Sequence, residues 1–192
     1  MRIVSAMIIA LLTTIGCGDS LDTSTPEGTV HTIRDALLSK RLDAIYPHLS
    51  RKTRSMVAEV HLLLQEQNNA VSTVYPPEHR FGARGAYPAG ALSAKTPQAL
   101  MATLIKDRAE KLKLGPGLSF GLTARGSATV LDTSATVATQ SGETIHLNLE
   151  DGHWRVTIWE PPVAQVLERV QANHAILKSN LKAIKSHTPS SK

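Results

Sequence analysis

The chain is poor in cysteine and in aromatic residues, and both shortages limit what it can be. Cys17 is the single cysteine among 192 residues, which excludes a disulfide bond within the chain. Aromatic residues make up 4% of the sequence, so aliphatic side chains must build the core, and a hydrophobic content of 42% is enough for one domain. The apolar stretch at residues 3–15 is shorter than the roughly 20 residues of a membrane-spanning helix.

Charge of either sign is limited and scattered. Lys and Arg number 21 and Asp and Glu 16, for a formal net charge of +5. The basic residues gather only at 106–113 and near the C-terminus, without the interleaved aromatic residues of nucleic-acid-binding segments, so we expect no nucleic-acid partner. Glu78 and His79 lack further ligands at metal-binding spacing, and the sequence carries no nucleotide-binding motif. We therefore predict no metal site and no cofactor.

The N-terminus has the pattern of an export signal. Arg2 supplies a positive charge, residues 3–15 are apolar, and residues 14–17 read Thr-Ile-Gly-Cys. This ending resembles the lipobox of bacterial lipoproteins, with Thr14 at the position where Leu is usual. The resemblance implies cleavage before Cys17 and acylation of its thiol with palmitate-like chains, which anchor a protein firmly when two or three are present. Acylation would also consume a lone thiol that is a liability in an oxidising compartment.

The predicted lipid anchor sets the expected location. In lipoproteins an Asp directly after the acylated cysteine favours the inner membrane, whereas here Gly18 follows and Asp19 comes one residue later. We expect the cell envelope, on the periplasmic side, with the outer membrane favoured if the cell is Gram-negative. The predicted divisions are a signal peptide at 1–16, a lipidated cysteine and tether at 17–25, an α+β domain at 26–160, a C-terminal helix at 161–186 and a tail at 187–192.

Apolar residues recur at helical spacing in the first half of the chain. The run 25–27, Thr-Pro-Glu, has the cap, the proline and the acid that begin a helix, which should reach about Lys40. We predict a short second helix at 41–46, a third from Ser50 to about Asn68, and a fourth that begins at 96–97.

Residues 70–95 interrupt this pattern with proline and glycine. We predict a loop inserted in the domain, and loops of this length are usually functional or disordered. Three aromatic residues of this segment, Tyr75, Phe81 and Tyr87, either line a pocket or a partner-binding edge, or pack the loop against itself.

After residues 115–117 the apolar period changes to two, which predicts four strands. The first should run over 118–130, with Gly126 as a bulge, and the others centre on Val137, Leu147 and Val156. A two-residue turn at 151–152, Asp-Gly, fixes the register of the last hairpin. It pairs Leu149 with Trp154, Leu147 with Val156 and Ile145 with Ile158, so that all six apolar residues share one face.

The other face of the last hairpin is polar. His146 and Thr157 should be cross-strand neighbours, and strand alternation places Asn148, Arg155 and Trp159 beside them. We call these five residues the predicted polar face. It would bind a polar ligand or a partner, or else be the solvated side of the sheet or be covered by the final helix. Trp159 is its most suggestive member, because an exposed Trp often anchors an interface.

The final helix opens at Pro161 and Pro162 and carries a narrow apolar seam. The seam residues follow at spacings of four and three, and they are Val163, Leu167, Val170, His174, Leu177, Leu181 and Ile184. One hypothesis is a homodimer through this helix. His174 would then weaken the association at low pH, although we expect it to be a tolerated polar residue of the seam.

The order of elements resembles that of NTF2-like (cystatin-like α+β) lipoproteins. Residues 25–49 resemble the opening of that family, and residues 150–156, Glu-Asp-Gly-His-Trp-Arg-Val, resemble its closing hairpin. The resemblance implies N-terminal helices packed on a four-stranded antiparallel curved sheet. It also implies a cone-shaped pocket, in which related enzymes use an Asp or a His. Asp43, His48 and His61 are the residues that would fill this role, and no spacing forces an Asp–His pair together.

Two classes of function therefore stay open. The first is a non-catalytic binding or scaffold module of the envelope, with an envelope protein as its partner, and it is favoured because no catalytic constellation stands out in the sequence. The alternative is a small-molecule pocket binder or an enzyme of the NTF2-like type. A cavity of several hundred cubic ångströms with convergent polar groups would favour the alternative.

Overall fold

The computed structural model describes residues 22–75, 77–85, 87–88, 90–111 and 122–187, with the backbone alone described at 111 and 185–187. The predicted signal peptide, Cys17, the first four residues of the predicted first strand (118–121) and residues 188–192 lie outside the described residues. The described chain is α+β, with helices, a four-stranded antiparallel sheet and a long C-terminal helix. None of the described helices is long and apolar enough to cross a membrane.

The first helix, α1, spans Pro26–Leu38 and begins as its sequence predicts. The Thr25 hydroxyl accepts a hydrogen bond from the amide of Gly28 at 3.1 Å, and Glu27 lies in the first turn, where an acid offsets the helix dipole. Gly28 is required here, because a Cβ atom would lie 1.9 Å from the carbonyl oxygen of Asp22. This contact fixes how the chain approaches the domain.

The second helix, α2, spans Arg51–Val74 and is longer than predicted. A 3-10 helix at Leu42–His48 precedes it, and the Ser50 side chain caps its first turn. The predicted end at Asn68 and the predicted start of a loop at residue 70 are wrong, because Val71 is fully buried and continues the apolar stripe of the helix. The rest of 70–95 holds short helical pieces, which are Pro77–His79, α3 at Arg80–Ala83 and Ala91–Ser93.

Two further helices pack against α2: α4 at Pro97–Lys111 and α5 at Glu160–His187. Helix α5 is the predicted C-terminal helix. The carboxylate of Glu160 accepts a hydrogen bond from Ser50 at 2.7 Å, and Gln171 donates to Glu59 at 2.8 Å. Residues early in α2 thus meet residues early in α5, and the two helices run parallel. The buried seam residues of α5 are Val163, Val170 and Leu177.

The sheet is a meander of β1 (Thr129–Leu131), β2 (Ser134–Ala138), β3 (Thr144–Glu150) and β4 (His153–Val156), in that order. The predicted register is confirmed for Leu149 opposite Trp154 and for Leu147 opposite Val156. The turn between them has φ angles of 52° at Asp151 and 77° at Gly152, the left-handed conformation that a two-residue hairpin turn needs. The predicted pair of Ile145 and Ile158 does not form, because β4 ends at Val156.

The first strand is shorter than predicted. In its described part, Ala124 forms an isolated bridge with Thr139, and regular pairing begins only at Thr129. Gly126, the predicted bulge, has a φ of 76° and lies between the two. Arg125 donates to the carbonyl oxygen of Ala138 and Gln140 donates to that of Thr123, so the chain already pairs beside β2 before Gly126, and the pairing is interrupted where the bulge was predicted.

Helix α1 lies on the inner face of the sheet, and one apolar core joins the sheet to the helices. Ala135, Val137, Ile145, Leu147 and Val156 all project into this core. The free side of β4 is covered from both ends, because Trp154 donates its amide to Thr23 and Val156 accepts from the amide of Ser50. The outer face of the sheet is left to solvent.

Candidate functional site

Strand pairing brings together four of the five residues of the predicted polar face. Asn148 is paired with Arg155, and the amide and the hydroxyl of Thr157 both donate to the carbonyl oxygen of His146, at 3.1 and 3.2 Å. Trp159 is not among them, and its placement on this face was wrong. Strand alternation stops with β4 at Val156, and the chain then turns into α5.

Arg155, the one cation of this face, is already engaged within the domain. Its guanidinium donates to the carbonyl oxygen of Pro47 in the 3-10 helix. Burial lowers the pKa of Arg155, and the nearby Arg54 lowers it further, whereas the carboxylates of Glu150 and Asp151 oppose this. The polar face therefore presents a tethered cation beside exposed His146 and Asn148, an arrangement that fits the solvated side of a sheet better than a built ligand site.

Carboxylates from the β3–β4 hairpin and from α5 lie at the N-terminus of α2 and interact with its first residues. Both carboxylate oxygens of Glu150 accept hydrogen bonds from the amide of Arg51, at 3.0 and 2.8 Å. Glu160 bonds to the capping Ser50 and lies 3.1 Å from the ammonium group of Lys52. Such acids stabilise the positive end of the helix dipole. The protein's own side chains thus occupy this anion-attracting position.

The three residues that the family resemblance offers for catalysis have different environments. Asp43 is exposed, His48 is half-buried, and the His61 ring lies 2.9 Å from the carbonyl oxygen of Ala94. Among the described contacts, no hydrogen bond or ion pair joins any two of the three. In the part of the chain that the structure describes, no group of three His, Cys, Asp or Glu side chains is placed to hold a metal ion.

The three aromatic residues of the predicted loop have three different environments. The Tyr87 hydroxyl donates to Gln67 of α2 at 3.0 Å and accepts from Asn173 of α5 at 2.9 Å, so it ties both helices to the segment. Tyr75 is half-buried at the end of α2. Phe81 is 92% exposed and is the only one of the three that offers its ring to a partner.

A cleft of about 290 Å³ opens between α4 and α5. It forms because both helices pack more closely against α2 than against each other. Its walls are mostly apolar and include Met101, Leu104, Ile105, Val163 and Val166, while Trp159 and Pro162 lie where α5 begins. Asp107, Arg108 and Arg169 supply charge around it. No local sequence signal marks this cleft, because it depends on how two distant helices are placed.

Comparison with known protein families, with characterised proteins and with solved structures gives no significant match. A functional proposal for this chain therefore rests on its own residues.

Proposed function

We propose that the chain is a lipid-anchored protein of the bacterial envelope, whose NTF2-like α+β domain is a non-catalytic binding or scaffold module. The observation that carries the proposal is the position of Cys17. The only cysteine of the chain comes two residues after the apolar N-terminal stretch, and the described contacts with the domain begin at residues 22 and 23. An acyl anchor at that cysteine would hold the domain against a membrane.

The way the chain approaches the domain supports this anchoring. The carbonyl oxygen of Thr23 accepts hydrogen bonds from the amide of Trp154 and from the hydroxyl of Thr29, both at 3.4 Å. Six residue steps separate Cys17 from Thr23, which at about 3.5 Å each reach no further than about 20 Å. A domain on so short a tether would stay close to the lipid surface and act there.

The NTF2-like assignment is supported by the sheet and by α1. A four-stranded meander with a helix on its inner face, closed by the Asp-Gly hairpin, is the arrangement that the family resemblance implies. The parallel pair of α2 and α5 departs from the simple family pattern. Because Val163, Val170 and Leu177 are buried within the domain, a homodimer through α5 would have to use the exposed Ile176 and Ile184 instead.

A binding role is favoured by Phe81. An aromatic ring that is 92% exposed stabilises nothing in the isolated domain, and aromatic residues are enriched at protein interfaces. Arg80 begins the same short helix and Arg84 follows it, and their side chains bond to Tyr75 and Ser72 at the end of α2. We propose an envelope protein as the partner of this surface.

The cleft between α4 and α5 favours a second candidate function, the binding of a small molecule. Its volume is near the lower limit of ligand pockets, and its apolar walls with two arginines suit a small amphiphile that carries one negative charge. Asp107 offsets part of the positive charge, so a dianion would be disfavoured.

The anchoring is tested by replacing the thiol. The full chain and its Cys17→Ser variant are expressed in a bacterial host that is fed a labelled fatty acid, with Ser20→Ala as a matched control. We expect label in the wild type and in the control, both in the membrane fraction, and no label in Cys17→Ser. Equal labelling and equal fractionation of all three proteins would contradict the proposal.

A further inference from the structure

One end of the sheet leaves apolar side chains in solvent. The β1–β2 and β3–β4 turns both lie there, and the amide of Leu149 donates to the carbonyl oxygen of Thr133 at 2.8 Å, which ties the two turns together. Leu131 is 70% exposed, Val130 51% and Leu149 37%. We call these three residues with the two turns the hairpin end of the sheet.

The opposite end of the sheet differs in character. The β2–β3 turn there consists of residues 139–143, Thr-Gln-Ser-Gly-Glu, and has no apolar side chain. The large apolar side chains that the described sheet exposes are Val130, Leu131 and Leu149, all at the hairpin end. Clustered apolar groups at one edge of a polar domain mark a contact surface.

The N-terminal tether reaches the domain at this same end. Thr23 bonds to Trp154, and Trp154 is the cross-strand partner of Leu149. At Thr23 the chain that leads back to Cys17 therefore lies beside β4 at the hairpin end, and its reach of about 20 Å keeps that end near any anchor at that cysteine.

We propose that the hairpin end rests on the lipid bilayer, with Val130, Leu131 and Leu149 seated among the lipid headgroups. The inference depends on the proposed acylation of Cys17, because three small apolar contacts bind a membrane weakly unless a tether raises their local concentration. It adds to that proposal an orientation for the domain. The polar β2–β3 turn then faces away from the membrane.

The charges of the hairpin end favour zwitterionic lipids. Asp132 and Asp151 occupy the two turns, and Asp151 lies 2.9 Å from the guanidinium of Arg51. Because this end has no excess of cations, anionic headgroups gain nothing from it. Contact should therefore form on phosphatidylethanolamine and phosphatidylcholine and should not increase when phosphatidylglycerol is added.

The test uses the acylated full chain in vesicles of phosphatidylethanolamine and phosphatidylcholine. Acylation consumes the native thiol, so a cysteine introduced by Leu131→Cys, Leu149→Cys or, as a control, Glu143→Cys is the only free thiol for a fluorescent label. Nitroxide-bearing lipids then quench labels that touch the bilayer. We expect loss of fluorescence at 131 and 149 and none at 143. If Leu149→Cys fails to fold, the more exposed position 131 is decisive.

The outcomes separate this inference from the anchoring itself. Vesicle flotation with no quenching at 131, or with equal quenching at 131 and 143, overturns the orientation and leaves the anchor in place. Self-quenching between labels without quenching by lipid assigns the hairpin end to a second copy and also overturns it. A chain that does not float and keeps a reactive native thiol overturns both proposals. Quenching that grows with phosphatidylglycerol overturns the assignment to zwitterionic lipids.

Discussion

His48 lies half-buried at the end of the 3-10 helix, where it faces the cations of β4. Its Nδ1 is buried and meets no hydrogen-bond partner among the described residues. Burial lowers the pKa of His48 below its ordinary 6.5, and the charges of Arg155 and His153 lower it further. In the folded protein this imidazole therefore stays neutral at pH values where the same residue in the unfolded chain is protonated.

The protonation of His48 should destabilise the fold in mild acid. Well above pH 6.5 the ring is neutral in the folded and in the unfolded chain, so His48 adds no pH dependence to stability. As the pH falls through 6.5 toward the lowered folded pKa, the unfolded chain gains the proton first. The free energy of unfolding therefore decreases. We expect His48→Gln to reduce the loss of unfolding free energy between about pH 7.5 and about pH 5, measured by urea denaturation. His146→Gln, on the exposed outer face, is the control and should keep the wild-type loss. An equal loss in all three proteins would contradict this environment for His48.

Single residues also explain where prediction from the sequence stops. The side-chain alternation that placed His146, Asn148 and Arg155 on one face holds within β3 and β4, and Thr157, one residue beyond β4, still bonds to the carbonyl oxygen of His146. Trp159 was assigned to this face by the same alternation. The assignment was wrong because the local sequence does not indicate where β4 ends. The engagement of Arg155 by Pro47, 108 positions away in the chain, is a tertiary contact that no spacing reveals.

At the scale of elements, the parallel pair of α2 and α5 dominates the helical layer. Gln67 is buried in it and donates to the carbonyl oxygen of Val170 at 2.9 Å, while its own amide oxygen accepts from Tyr87. His174, the polar residue of the seam, lies 3.4 Å from the carboxylate of Glu66. Gln67 thus ties the two helices together, whereas both ring nitrogens of His174 are buried with no hydrogen-bond partner among the described residues.

Truncation of a buried seam residue should cost far more than truncation of an exposed residue of the same helix. Val170 is fully buried, whereas Ile176 on α5 is 60% exposed. We expect Val170→Ala to lower the free energy of unfolding by about 2 kcal/mol through lost burial and a residual cavity, and Ile176→Ala to change it by less than about 0.5 kcal/mol. Urea denaturation of both variants tests this. Similar losses would contradict the burial of Val170 and the exposure of Ile176.

The helices and strands differ in how well their boundaries can be predicted from the local sequence. The cap and proline before α1 and the Asp-Gly turn of the last hairpin are local signals, and the structure follows both. The pair Asn68-Asn69 is also a local signal, but packing of Gln67 and Val71 against neighbouring elements overrides it and extends α2 to Val74. Tertiary burial, which the local residues do not encode, decides such cases.

On the scale of the whole molecule, the cleft between α4 and α5 is the feature that separates the two proposed functions. An apolar cleft with cationic groups should take up anilinonaphthalene sulfonate, an amphipathic monoanion, and raise its fluorescence. Val166 lines the cleft and is half-buried, so Val166→Phe should fill it and weaken this binding. Ile176→Phe, on the same helix but outside the cleft lining, should bind the dye as the wild type does. Equal binding by all three would remove the small-molecule alternative.

The proposed function of the whole molecule depends on Cys17 as the site of lipid attachment. The described residues form a folded domain. Anchoring at a membrane is the one condition that would explain the hairpin end, the tether at Thr23 and the exposed Phe81 together. The most direct measurement is the mass of the N-terminal peptide of the protein purified from a bacterial membrane. Acylation predicts a peptide that begins at residue 17 and carries the added mass of a diacylglyceryl group on its cysteine. A peptide that begins at Met1, or one in which the thiol of Cys17 is free, would contradict the account.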